Sequence, residues 1–255
     1  MSRSPPQKIH SLALVTIGQS PRHDYTSDLP FLLPSETTLT QHGALDNLTL
    51  SDVHARLSPA PSTKQVLVSR MRDGTEVKMD AEKLEPLISD CVQRVASQEA
   101  PDAILLLCTG TLPSYDVTVP VVGPQDAVRT YLEQERKGTN LVIISPEKRQ
   151  VGPAQARWHG VGGSVVLGGT MATPYGEDSP SEIEAAAKWV SSLPELNGTD
   201  GEHVVGNVTV YMDCMGYTLE HKRMMEKMTK GRVNEVMVPR EVVFRAMGRL
   251  FGKDV

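Results

Sequence analysis

Short apolar runs of strand length recur along the chain and alternate with stretches of helical period, and this alternation limits the fold more than any other feature. The strand-like runs are Ser11–Ile17, Thr37–Gln41, Gln65–Arg70, Ala103–Cys108, Asn140–Ile144, Ser164–Leu167, Val208–Asp213 and Glu235–Val238. Between them, Leu84, Leu87, Ile88, Cys91, Val92 and Val95 recur at helical spacing and mark one apolar helix face. Ser179-Pro180-Ser181-Glu182 has the form of a helix start, with serine as the cap, proline in the first turn and glutamate closing a capping box. Further helices are expected at Gln125–Glu135, Leu219–Met228 and Arg240–Phe251. Strands that alternate with helices call for parallel sheets covered on both faces, so the predicted fold class is α/β.

The 255 residues suit one large domain or two small ones. Leu57–Thr63 and Pro194–Gly206 read as surface loops, and Pro120–Pro124 as a hinge between two lobes. The polar start, Met1–Gln7, lacks the apolar core of a signal peptide, and no apolar run approaches membrane-spanning length. The expectation is a cytoplasmic chain that meets no membrane, in which the Asn-x-Thr triplets at Asn47, Asn197 and Asn207 are chance matches. A net charge of −5, with both signs mixed throughout, offers no basic stripe for nucleic acid. Three widely spaced cysteines make no disulfide framework.

Two of those cysteines sit alike. Ala103–Leu107 runs into Cys108-Thr109-Gly110-Thr111, and Val208–Asp213 runs into Cys214-Met215-Gly216-Tyr217. Each half of the chain thus holds an apolar strand ending in cysteine, with glycine two residues on. Parallel sheets bind ligands beyond the carboxyl ends of their strands. The glycine lets the backbone turn sharply and present N–H groups to a carboxylate or a developing enolate. The plainer reading, that each thiol is a buried structural cysteine, weakens because the pattern occurs twice. Cys91, on an apolar helix face, is read as core.

Two opposed thiols can work as an acid/base pair: one thiolate removes a proton beside a carboxylate while the other thiol returns one from the opposite face. The ordinary thiol pKa of ~8.5 lies near working pH and responds to backbone dipoles. Alternatively, one thiolate attacks a carbon–carbon double bond. Neither scheme needs a cofactor, and none is expected. No Cys-x-x-Cys or His-x-x-x-His spacing suggests a metal, and neither a Gly-x-Gly-x-x-Gly nor a Gly-Lys-Ser/Thr loop suggests a nucleotide.

Thr16-Ile17-Gly18-Gln19-Ser20-Pro21-Arg22, Gly43-Ala44-Leu45-Asp46, Leu67-Val68-Ser69-Arg70 and Asp213-Cys214-Met215-Gly216-Tyr217 together resemble the AroM family, in order and over most of the chain. AroM-like proteins are similar to the aspartate/glutamate racemase superfamily. Its amino-acid and hydantoin racemases, maleate cis-trans isomerases and arylmalonate decarboxylases share two pseudo-symmetric α/β lobes. The resemblance implies a central cleft with one catalytic cysteine from each lobe, Cys108 and Cys214. It implies an N-terminal lobe over 8–120, with 232–255 packing back on it, and a second lobe over 121–231. Thr109-Gly110 and Met215-Gly216 stand where the amino-acid racemases carry Asn-Thr and Thr-His.

The expected binding residues are Gly18, Gln19, Ser20, Arg22, Arg70, Thr109, Gly110, Thr111, Thr173, Tyr175, Met215, Gly216 and Tyr217. Ser20 and neighbouring N–H groups could hold a carboxylate and Arg22 could fork onto it, although an ordinary strand-to-helix turn explains the segment equally. Arg70 is a second contact or a surface arginine. Thr173 and Tyr175 follow a second-lobe strand, where Gly-Pro punctuation alone also accounts for the sequence. Asp24 reads as a helix-start charge, Asp213 as structural and His221 as an exposed helix residue; His42 and Asp46 are minor candidates. The expected function is an isomerase, a racemase or cis-trans isomerase, of a small carboxylate. The alternatives are a one-cysteine decarboxylase or lyase and a non-catalytic carboxylate-binding protein. A homodimer is the assembly to expect by frequency.

Overall fold

The computed structural model describes residues 10–25, 28–111, 113–196 and 207–251. The polar start of the chain and residues 197–206 of the second expected loop, Asn197 included, lie outside them. Strand β1 (Ser11–Thr16) leads through α1 (Leu29–Leu32) to β2 (Thr38–Gly43). Then come α2 (Leu50–Leu57), β3 (Val66–Arg70), β4 (Glu76–Asp80), α3 (Ala81–Gln98), β5 (Ala103–Leu106) and β6 (Val121–Val122). Helix α4 (Pro124–Gln134) opens a second set: β7 (Asn140–Ser145), α5 (Lys148–Trp158), β8 (Val165–Met171) and α6 (Ser179–Ser191). The chain continues with β9 (Val208–Met212), α7 (Leu219–Met228), β10 (Glu235–Met237) and α8 (Pro239–Leu250).

Two parallel four-stranded sheets result, in the orders β2-β1-β5-β6 and β10-β9-β7-β8. Read from its β8 edge, the second order repeats the first: second strand, first, third, fourth. The two lobes are therefore topologically equivalent, and the strand order reverses between β1 and β5 and again between β7 and β9. A crevice opens beyond the strand ends at such reversals. Cys108 lies just past β5 and Cys214 just past β9, at matching places.

Successive strand residues face opposite sides of a sheet, and here both sides are buried, which is why the strands read as continuous apolar runs. Ala13, Val15, Ile104 and Leu106 pack under Val53 and Leu57 of α2 and Leu84, Ile88, Val92 and Val95 of α3; Cys91 joins this core as expected. On the other face, Leu12, Leu14 and Leu105 meet Leu29 and Leu32 of α1 and Val243, Phe244 and Met247 of α8. In the second lobe, Val142, Ile144, Val210 and Met212 lie against Ile183, Ala187 and Val190 of α6 and Met225 of α7. Leu141, Ile143 and Tyr211 lie against Val128 and Leu132 of α4 and Ala154 and Trp158 of α5. Each fully buried side chain of this size contributes about 1.5–3 kcal/mol.

The last helix of each lobe covers the other lobe's sheet: α4 packs on the second sheet, α8 on the first, and the two touch. Just before these crossings, β6 pairs with β5 and β10 pairs with β9.

Three local expectations are corrected. Gln65–Arg70 is no member of a parallel sheet; β3 pairs antiparallel with β4, from Val66 opposite Asp80 to Arg70 opposite Glu76. Gly74, at φ +100°, makes the hairpin turn that only a residue without Cβ enters freely. Ser179 does not cap α6: Asp178 holds the cap position without a side-chain bond, and the Glu182 carboxylate instead accepts the Thr173 N–H at 2.7 Å. Helices α2 and α5 were not expected; α5 buries only Ala154 and Trp158, too few for a visible period. Among the described residues no helix is long and apolar enough to cross a membrane.

Candidate active site

Cys108 and Cys214, from opposite lobes, line one small cavity of about 20 Å³, together with Ile17, Leu67, Gln150 and Tyr175. Both cysteines are buried and unbridged. The local geometry is the same twice: the Gly110 N–H donates to Cys108 Sγ at 3.3 Å, and the Gly216 N–H donates to Cys214 Sγ at 3.4 Å. Glycine is needed for close approach. A Cβ on Gly216 would stand 2.4 Å from the Tyr175 hydroxyl oxygen, and one on Gly110 2.6 Å from Leu67 Cδ2.

Burial pushes the Cys108 thiol up to about 12, opposed by the Gly110 N–H. Burial also raises Cys214, but the Gly216 N–H, the Tyr175 hydroxyl and the Arg22 charge hold it to about 11. The Tyr175 hydroxyl lies 4.0 Å from Cys214 Sγ, and burial lifts its own pKa well above the usual phenol value. Both thiols are thus protonated at neutral pH in this closed arrangement.

Two larger openings reach the cavity. One, of about 580 Å³, is bordered by Cys108, Tyr115, Val119, Gln125 and Asp126. The other, of about 300 Å³, runs between the β3–β4 hairpin and α5 past Lys64, Arg149 and Arg157, and shares Thr109, Gly110 and Gln150 with the cavity. The lobes are stitched across it. Thr109 Oγ1 donates to the Asp213 carbonyl at 3.1 Å, Arg157 donates to the Thr109 carbonyl at 3.1 Å, and Gln150 donates to the Val66 carbonyl at 2.7 Å.

Of the expected binding residues, Thr109, Gly110, Tyr175 and Met215 line the cavity. Gly216 acts through its N–H, and Thr111 borders both openings. Buried Tyr217 instead donates its hydroxyl to the Ala172 carbonyl. Thr173 Oγ1 donates to Glu76, tying the hairpin to the second lobe.

The segment after β1 is committed elsewhere. Gln19 donates to the Leu45 and Leu48 carbonyls and accepts the Arg72 N–H; Ser20 Oγ donates to Asp46. Gly18 lies so close to the hairpin that a Cβ would strike the Arg70 carbonyl at 2.4 Å. The Arg22 fork, expected to hold a carboxylate, is closed on Asp24, with Nε at 2.8 Å and Nη2 at 2.9 Å. Asp24 is correspondingly no mere helix-start charge: it also pairs with Arg240 at 3.1 Å and faces Arg70 at 3.9 Å. Burial alone would raise this carboxyl, but the Arg22 hydrogen bonds and charge, with Arg240 and Arg70, pull it down to about 2.

His221 is not an exposed helix residue; it is half-buried and closes a capping box with Thr218, and burial lowers its pKa. His42 pairs with Glu99, and Asp46 organises the turn by accepting from Ser20 and Gly43. Asp213 accepts from Trp158 at 3.0 Å and Arg157 at 3.2 Å, while burial raises its carboxyl. Ile17, Leu67 and Gln150 line the cavity although none was among the expected binding residues. Ile17 ends the β1 run and so sits at a strand's carboxyl end, which was a usable signal; Gln150 lies on unexpected α5. Among the described residues no group of three or more His, Cys, Asp or Glu is placed to hold a metal ion.

A family model described as AroM protein matches residues 12–251. The chain belongs to the AroM family. No curated protein matches it. Among solved structures, this AroM-family chain shares its fold with an unliganded arylmalonate decarboxylase, at TM-score 0.55 and 11% identity over 96% of this chain and 94% of the other. It is similar to the maleate isomerase Iso from Pseudomonas putida S16, at TM-score 0.52 and 12% identity over 95% and 93%. It is also similar to the aspartate racemase of Picrophilus torridus, at TM-score 0.50 and 10% identity over 96% of each chain. These likenesses establish the two-lobed α/β fold.

Proposed function

We propose that the chain is a cofactor-independent isomerase, a racemase or cis-trans isomerase, of a small carboxylic acid, with Cys108 and Cys214 as its acid/base pair. The observation that carries this reading is the meeting of both thiols in one cavity, each sulfur held by the N–H two residues on. A structural cysteine needs no such duplicate. The activities of the structural neighbours, a racemase, an isomerase and a decarboxylase, agree with chemistry on small acids.

In the proposed racemase cycle, one cysteine as thiolate takes the proton from the carbon beside the carboxylate, and the other, as thiol, delivers one to the opposite face. The proton count is unchanged and the two cysteines exchange states. A cis-trans isomerase would instead add one thiolate to the double bond and expel it after rotation. The turns at Thr109–Thr111 and Met215–Tyr217 supply dipoles for the enolate charge. A cavity of about 20 Å³ holds at most about one water, so the lobes must part to admit substrate. The Thr109–Asp213, Arg157–Thr109 and Gln150–Val66 hydrogen bonds are among those that parting breaks.

A second reading, a decarboxylase in which one cysteine protonates a carbanion, is favoured by the unequal surroundings of the thiols, since Tyr175 attends only Cys214. Proton NMR in heavy water separates the two. The panel spans amino acids, hydroxy acids, maleate-type dicarboxylates, arylmalonates and hydantoins. Deuterium incorporation or isomerisation that vanishes in both Cys108→Ala and Cys214→Ala is the expected result. Turnover that survives either substitution sinks the paired mechanism. Carbon dioxide release lost in only one variant selects the decarboxylase.

A further inference from the structure

Arg240 is fully buried, although it starts a helix that packs on the far lobe. Its guanidinium donates to the Met215 carbonyl at 2.9 Å, the Gly216 carbonyl at 3.2 Å, the Asp24 carbonyl at 2.7 Å and Asp28 Oδ2 at 2.8 Å. It lies 4.3 Å from the Tyr25 ring centroid, and the Tyr25 hydroxyl also donates to the Met215 carbonyl. The carbonyls of the second cysteine turn are thus held from behind, and the peptide that follows Cys214 is fixed with its Gly216 N–H on the sulfur.

The same network carries charge to one thiol. Arg22, Arg70 and Arg240 surround the two carboxylates of Asp24 and Asp28, leaving one positive charge in excess. Arg22 lies 5.7 Å from the Tyr175 ring centroid, and the Tyr175 hydroxyl reaches Cys214. At the first turn a single arginine, Arg157, donates to the Thr109 carbonyl and favours the Cys108 thiolate, but its charge is paired to Asp213. We propose that Arg240 is a positioning residue for Cys214, and that the Arg22–Asp24–Arg240 network makes Cys214, not Cys108, the thiol that ionises first. This rests on the paired-thiol reading for its catalytic meaning, in which Cys214 is the thiol that gives up its proton first and serves as the base.

Charged and polar groups face Cys214 from several elements. Arg22 favours its thiolate, as does hydrogen bonding from Tyr175. Asp213 opposes it, and Cys108 shares the cavity as a competing site for charge. Buried Tyr25, Tyr211 and Tyr217 stay neutral beside it, each raised by burial. Arg157 favours the Cys108 thiolate in turn, so the two cysteines differ in the Tyr175 hydroxyl and in an arginine network whose charge exceeds that of its carboxylates, whereas Arg157 is matched by Asp213.

The test is a carbon-13 NMR titration of protein labelled at cysteine Cβ, carrying Cys91→Ser so that only Cys108 and Cys214 report. Cys214 is expected to titrate at lower pH than Cys108. Arg240→Met should raise the Cys214 midpoint by about one unit or more, with Cys108 moving by no more than a few tenths. Asp24→Asn, which leaves Arg22 and Arg240 less compensated, should move Cys214 the other way, downward. Equal movement of both cysteines, no movement in a folded variant, or an upward shift in Asp24→Asn overturns the proposal. Should Arg240→Met fail to fold, the sign of the Asp24→Asn shift decides. The titration needs no substrate, so an absence of turnover and a failure of this inference are separate results.

Discussion

The two cysteine turns share a backbone and differ in what stands behind it. Each follows the third strand of its sheet, each sulfur accepts an N–H from the glycine two residues on, and each is buried. Behind Cys214 lie Tyr175 and a packed ion network anchored by Arg240. Behind Cys108 lies an opening of about 580 Å³ on which, among the described lining residues, Asp126 supplies the one carboxylate. The difference teaches that topology duplicates a turn's geometry, whereas the chemistry of its sulfur is set by side chains from elsewhere, here from a helix at the end of the chain.

Removing the two arginines that support the turns should break the comparison most visibly. Arg240→Met leaves Asp24 and Asp28 buried without their shared partner, and a loss of about 3–5 kcal/mol is expected in urea unfolding. Arg157→Met should cost less, about 1–3 kcal/mol at pH 7, because Asp213 can take up a proton. The sign follows from burial, which raises the Asp213 carboxyl, while Arg157 lowers it. Without Arg157 the folded pKa rises further, so the penalty is relieved as pH falls. The Arg157→Met deficit should therefore shrink as pH is lowered from 7, and a deficit that stays constant would show that Asp213 does not take up the proton.

Asp24 gives the next effect. Its folded pKa of about 2 lies below the ordinary 3.8, so it stabilises the fold above the ordinary value and loses that contribution as pH falls toward 2. The difference amounts to about 2 kcal/mol. Acid unfolding of Asp24→Asn should show a shallower slope between about pH 4 and 2 than the parent, and an unchanged slope would remove Asp24 from its place at the centre of the network.

The two glycines sharpen the comparison at smaller scale. A methyl at Gly216 meets the rigid Tyr175 ring, 2.4 Å from its oxygen and 2.5 Å from Cζ, whereas one at Gly110 meets the tip of a flexible leucine. Gly216→Ala should cost about 1–3 kcal/mol and Gly110→Ala clearly less, read as urea midpoints. Equal costs would mean that Leu67 is as tightly locked as Tyr175.

How much of this was legible depends on range. The α/β class, the strand runs and the cysteine turns could be read because each is local: period, a strand end, a glycine two residues later. Tyr175 could be placed beyond a second-lobe strand for the same reason. The fate of Arg22 could not. A forked guanidinium near a glycine turn looks available for a substrate carboxylate, and only the fold shows Asp24 already in it. Arg240 was invisible for a stronger reason. In the sequence it is one cation at the start of an amphipathic helix, and its partners Asp24, Asp28 and Gly216 come together only when α8 crosses to the first sheet. The β3–β4 hairpin misled because a buried run has the same composition whether it pairs parallel or antiparallel.

Tyr175→Phe is the finest test of the asymmetry between the turns. The substitution keeps the ring on which Arg22 rests and the shape that Gly216 requires, and removes one hydroxyl 4.0 Å from Cys214 Sγ. A sulfur contact of that length is weak, so stability should change little. The Cys214 midpoint should rise by a few tenths of a unit, because a group that favours the thiolate is gone. Cys108, attended by the Gly110 N–H instead, should not move. If both thiols shift together, the cavity acts as one coupled pair and the turns cannot be assigned separate pKa values. If only Cys214 shifts, the hydroxyl belongs to the second turn alone, and the division of labour between the lobes extends down to a single oxygen atom.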